Sequence, residues 1–156
     1  LPEEAREKLR KIAPHLWDWM GNPADRSIMQ GASVNTGSIL RMMTQSPVFD
    51  FLIVNLTEDA PFDRTSMVKL LGKETEDIIR VSKEESKPVI AVLGAGEFGG
   101  HHLQDWRWRL LAEQRQRLVE ACIPVFSSIT RATDSVSRLV DYYRAKGATI
   151  EPLDSG

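Results

Sequence analysis

Three short and almost wholly apolar runs alternate along the chain with longer segments whose apolar residues recur at helical spacing. The runs are Phe49-Asp50-Phe51-Leu52-Ile53-Val54-Asn55, Pro88-Val89-Ile90-Ala91-Val92-Leu93 and Ile123-Pro124-Val125-Phe126. The first two lack the clean alternation of a half-exposed strand, which fits strands buried on both faces of a sheet. Met67, Leu70, Leu71, Ile78 and Val81 stripe a long helix over about Asp63 to Glu85, with Gly72 as a point where it would break or kink. Trp108, Leu111, Arg115, Leu118 and Val119 mark a second helix. Ala132, Val136, Leu139, Val140 and Tyr143 mark a third, which Gly147 is placed to end.

The N-terminal part is less regular. Leu1 to Ala13 predicts a helix with Ala5, Leu9, Ile12 and Leu16 on one face, admitted by Pro2 and ended at Pro14. Ile39, Leu40 and Met43 predict a short helix over Thr36 to Ser46, stopped by Ser46-Pro47. Between them Asn22-Pro23 forces extended backbone, and Pro23 to Ile28 is expected to form a fourth strand. Strands alternating with helices imply right-handed crossovers and a parallel sheet covered on both sides. The predicted fold is therefore α/β: a three-layer, flavodoxin-like domain with a small parallel sheet of about four strands. Residues 1–20 read as an N-terminal helix and lead-in, 21–150 as the domain and 151–156 as a tail.

Bulk composition narrows the partners. The 156 residues are 42% hydrophobic and 27% charged, as in an ordinary globular domain. Twenty basic against 22 acidic residues give a charge of −2, so no bulk field draws in nucleic acid or an acidic membrane. Cys122 is the only cysteine, which excludes an intrachain disulfide and a Cys-cluster zinc site and makes a cytoplasmic location the expectation. Its place between a helix and an apolar strand predicts a buried thiol. No apolar run reaches membrane-spanning length and no signal-peptide layout is present. A chain that starts at Leu1 and ends at Asp154-Ser155-Gly156 is expected to be a piece of something longer.

Candidate chemistry gathers at loops. Gly94-Ala95-Gly96-Glu97-Phe98-Gly99, followed by Gly100, matches the G-x-G-x-x-G dinucleotide fingerprint directly after a strand. The next strand ends at Ser127-Ser128, with no acid for a ribose hydroxyl, and the helix is expected to start late, near Asp105. A flexible loop is the plainer reading. His101-His102 with Asp105 would need a further ligand brought by folding, so no metal site is expected, and His15 is distant. Trp106-Arg107-Trp108-Arg109 with Arg115 and Arg117 mixes aromatic and basic residues as single-strand binders do. Glu113, Glu120 and the overall charge favour arginines that cover apolar surface or meet another domain.

Taken in order, these segments resemble one subdomain of the NDP-forming acyl-CoA synthetases, relatives of succinyl-CoA synthetase. The resemblance rests on several residues: the leading Leu1-Pro2-Glu3-Glu4 with Lys8-Leu9, the Gly21-Asn22-Pro23-Ala24-Asp25 turn, Asp50 to Asn55, and Lys87-Pro88-Val89-Ile90-Ala91-Val92. Ile123-Pro124-Val125-Phe126 and Arg131-Ala132 complete it, so that it spans nearly the whole chain. It implies the second, flavodoxin-like ligase domain of an enzyme that joins a carboxylic acid to CoA through acyl-phosphate and phosphohistidine intermediates. CoA and ATP with Mg would serve the parent enzyme, with none bound tightly by this segment. Partners would be a Rossmann CoA-binding domain, the ligase domain with the phosphorylated histidine, and an ATP-grasp pair; a homo-oligomer is compatible. The family's Ser-His-Thr-Gly setting for that histidine does not occur here, so no catalytic residue is expected in this chain.

The same resemblance implies a role for a helix N-terminus at Ala60-Pro61-Phe62-Asp63, aimed at the phosphoryl group. The family's glycine-rich turn is replaced by Thr57-Glu58-Asp59, whose carboxylates would repel phosphate. Asp63 with Ser66 also reads as a plain N-cap, and Asn22 with Asp25 as an Asx-type turn. A free-standing assembly or binding module of the same fold, and an NAD-type domain using Gly94 to Gly99, are the alternative functions.

Overall fold

A computed structural model describes residues 3–12, 14, 22–24, 35–56, 62–94 and 106–147. Eight elements follow in the order α1 (Glu3–Ile12), α2 (Thr36–Thr44), β1 (Leu52–Asn55), α3 (Arg64–Glu84), β2 (Val89–Val92), α4 (Trp106–Glu120), β3 (Val125–Phe126) and α5 (Ile129–Ala145). The three strands form one parallel sheet in the order β1-β2-β3. Leu52 stands opposite Val89, and Ala91 opposite Val125. Flanking residues extend the ladder: Leu56 N–H donates to the Val92 carbonyl and Leu93 N–H to that of Phe126, both at 2.9 Å.

Side-chain alternation divides the core between two faces of this sheet. Leu52, Val54, Val89, Ala91, Leu93 and Val125 point to one side, where α2, α3 and α4 cover them through Leu40, Met67, Leu71, Ile78, Leu111 and Leu118. Ile53, Ile90, Val92 and Phe126 point to the other, where Ala132 and Val136 of α5 pack against them. Helices therefore lie on both faces. β2, the central strand, is buried along its whole length, as its apolar run predicts. β1 lies at the edge of the described sheet, so only Leu52 of its four residues is fully buried and Asn55 is exposed.

Helix ends follow local chemistry. Asn35, Asp63 and Ser128 each cap a helix, accepting from the backbone N–H three residues on. α3 runs unbroken through Gly72, because its apolar stripe before and after that residue is anchored on one core. Gly37 marks where α2 comes closest to α3: an added Cβ would sit 2.9 Å from the Arg80 guanidinium and 3.1 Å from Asp77 Oδ1. The same helix pair is tied by Arg41 to Glu84 at 2.5 Å, and this bond raises the Arg41 pKa above its ordinary value. Lys87 donates to the Ser46 carbonyl, joining the end of α2 to the start of β2.

Several expectations need correction. Cys122 is exposed, in a turn with φ of 60° that follows α4, so the thiol faces solvent rather than core. Val119 is 58% exposed, because Leu118 alone takes the inward position at that end of α4. Leu139 and Tyr143 are also exposed, since only the first half of α5 lies over the three described strands. Gly147, with φ of 65°, does end α5. Within the fourth strand expected over Pro23 to Ile28, Ala24 makes a single-residue bridge, and residues 25–28 lie outside the described residues. Leu9 is buried as expected of α1, while the side chains of Ala5, Ile12 and Leu16 lie outside the description.

Candidate functional site

All three strands point their carboxyl ends the same way, so the segments that leave them converge on one edge. The chain leaving β2 goes on to α4 on one face, whereas the chain leaving β3 enters α5 on the other. Connections that diverge from neighbouring parallel strands leave a crevice between them, the usual ligand position in open α/β sheets. A cleft of about 470 Å³ lies there, lined by Gly94, Trp108, Leu111, Ala112, Arg115, Val125, Phe126, Ser127 and Arg131.

The described polar residues of its wall are cationic or neutral. Arg115 comes from the middle of α4 and donates to the Leu93 carbonyl, which fixes its guanidinium at the end of β2. Arg131 comes from the first turn of α5, where Ser128 Oγ accepts its backbone N–H at 3.2 Å. Among the described residues its guanidinium has no hydrogen-bond or ion-pair partner. Among the described residues no carboxylate lines the cleft. Trp108, Leu111, Val125 and Phe126 form the apolar remainder.

A second feature stands at the same edge, at the start of α3. Asp63 Oδ1 accepts from Ser66 N–H at 3.1 Å and its Oδ2 from Ser66 Oγ at 2.7 Å. These bonds, side-chain hydroxyl first, hold its carboxyl below the ordinary range. Phe62 is exposed beside it. Arg107, in the first turn of α4, stacks on Trp106 at 5.2 Å and donates to the Phe62 carbonyl at 3.1 Å. A guanidinium therefore sits one residue from the α3 cap. Nothing in the local sequence signals this contact, because the partners lie far apart in the chain and meet only when α3 and α4 pack.

No family model, curated protein or solved structure matches the chain.

The remaining sequence candidates fall as follows. Asn22 and Pro23 are exposed and joined by a cis peptide, but Gly21 and Asp25 lie outside the described residues. So do Ala60, Pro61, Gly96, Gly99, Gly100, His15, His101, His102 and Asp105. Gly94 is described and opens the cleft. The end of β3 carries Ser127 and Ser128, as the sequence shows, with no acid at the position where a dinucleotide fold needs one. Among the described residues no group of three or more His, Cys, Asp or Glu could hold a metal ion. No helix among them is long and apolar enough to cross a membrane.

Proposed function

We propose that this chain is a flavodoxin-like ligase subdomain of an NDP-forming acyl-CoA synthetase, supplying positive field to a phosphoryl-transfer centre completed by partner subdomains. The observation that carries this reading is the Arg107 contact at the head of α3. In the family that the sequence resembles, the helix in this position faces the phosphorylated histidine. The α3 N-terminus contributes its helix dipole, and Arg107 brings a guanidinium to the Phe62 carbonyl just before the cap. The Asp63 carboxylate is itself engaged by Ser66. The resembling segments also fall on the elements the family layout needs: Asp50 to Asn55 on and just before β1, Lys87 to Val92 on β2, and Arg131-Ala132 in the first turn of α5.

The chain carries no nucleophile or acid–base pair of its own in this reading. CoA, ATP and Mg would be bound by the Rossmann and ATP-grasp partners, and the catalytic histidine by the other ligase domain. The test is CoA-thioester formation from acetate and longer acids with ATP, using the partner subdomains with and without this chain. Thioester appearing only in the mixture supports the proposal. Full activity of the partners alone contradicts it.

One observation favours a second reading, a non-catalytic assembly module. Leu139, Tyr142 and Tyr143 are about half exposed along the outer part of α5, an apolar surface suited to a protein neighbour. That reading predicts partners that are fully active alone but altered in subunit size when this chain is added.

A further inference from the structure

We propose that the cleft between the carboxyl ends of β2 and β3 binds a small compound with an oxyanion head, phosphate or carboxylate, on a flat apolar body. This inference rests on the cleft's own chemistry and not on the ligase reading. Two arginines, Arg115 and Arg131, line one cavity from opposite layers of the fold, and among the described residues no carboxylate lines it with them. In a chain of net charge −2 such pairing of like charges is not a bulk effect. Unneutralised, the two cations repel each other, and an anion between them removes that repulsion.

Their situations differ in a useful way. Arg115 is half-buried and tethered to the Leu93 carbonyl, which orients its planar group toward the strand ends. Arg131 is exposed and has no side-chain partner among the described residues, so its fork of donors is available to a bidentate oxyanion. The first N–H groups of α5 add a weaker field of the same sign at the same mouth. Trp108 and Leu111, on the same face of α4 as Arg115, and Phe126 at the end of β3 offer aromatic and aliphatic surface to the body of the ligand. The volume of about 470 Å³ exceeds the needs of a bare phosphate and falls within the range of small-molecule pockets.

Two arginines and apolar side chains lining one cleft select for amphipathic anions. Inorganic phosphate would satisfy the arginines and leave the wall wet. A neutral aromatic would fill the wall and leave both charges unpaired. Phosphate and carboxylate heads share the geometry that an arginine fork recognises, and the experiment separates them.

The test is calorimetric titration of the whole chain with phenyl phosphate, benzoate, inorganic phosphate and benzyl alcohol, with tryptophan fluorescence as a second readout. Saturable binding of phenyl phosphate or benzoate is expected, weakened at least about tenfold for either bare phosphate or benzyl alcohol. Whichever head binds tighter names the source of the anion. Arg131→Gln should weaken binding about tenfold, the loss of one charge-assisted contact, and flatten its salt dependence. Arg131 is exposed, so this variant should keep the wild-type fold, checked by circular dichroism. Ala112→Trp, which fills the cleft while keeping both arginines, should abolish binding, and Trp108→Phe should remove the fluorescence change but not the heat. Absence of saturation by both amphipathic anions at about 10 mM, the threshold for weak pocket ligands, would overturn the proposal. So would unchanged affinity in Arg131→Gln, or inorganic phosphate binding as tightly as phenyl phosphate.

Discussion

Arg107 donates to the Phe62 carbonyl, one residue before the Asp63 cap, so a guanidinium and a carboxylate both stand at the head of α3. If the Arg107 charge serves phosphoryl transfer, Arg107→Gln in the assembled enzyme should slow thioester formation about tenfold or more, with thermal stability nearly unchanged. Asp63 makes a different prediction, with a definite sign. Its folded pKa is depressed, so its contribution to stability is present above the unfolded carboxylate value and is lost as pH falls through the folded value. Unfolding free energies of wild type and Asp63→Asn should therefore converge as pH is lowered through the acid range, measured by urea denaturation. Thr75 is fully buried and its hydroxyl has no hydrogen-bond partner among the described residues. Thr75→Val should raise stability by about 1 kcal/mol by removing an unsatisfied polar group at nearly constant shape. The exposed Cys122 should react with a thiol reagent in the native protein at the rate of a surface cysteine.

At the scale of elements, α3 is the clearest case of a helix written in the sequence. Asp63 with Ser66 fixes its start, the stripe from Met67 to Val81 fixes its buried face, and both could be read from spacing alone. Gly72 looked like a break because propensity was the only guide there; packing on both sides overrides it. Since an added Cβ at Gly72 meets nothing within 4 Å, Gly72→Ala should stabilise α3 by about 1 kcal/mol, the helix-propensity difference, seen as a higher urea midpoint. β2 was legible because a strand buried on both faces has an uninterrupted apolar run. β1 and the outer half of α5 were not. Their apolar residues are the same types, and only the position of each element in the sheet decides which are covered. Cys122 was misplaced for a related reason, because α4 ends at Glu120 and the following turn swings outward before Ile123 returns to the core.

At the scale of the whole molecule, three described arginines gather at the edge where the strands end. Arg107, Arg115 and Arg131 stand there in an overall slightly acidic chain. The sequence marks Arg107 and Arg115 in an aromatic and basic run and Arg131 at the head of the last helix, but not their convergence, which depends on α4 and α5 leaving neighbouring strands for opposite faces. In the proposed reading, helix N-termini and guanidiniums gathered at one edge suit a domain that supplies field to chemistry held by its neighbours. The most direct measurement is the rate at which labelled ATP phosphorylates the histidine of the partner ligase domain, and at which that label is discharged, with and without this chain. The account predicts that both steps slow markedly when the chain is left out and recover when it is added back. Equal rates in its presence and absence would contradict it.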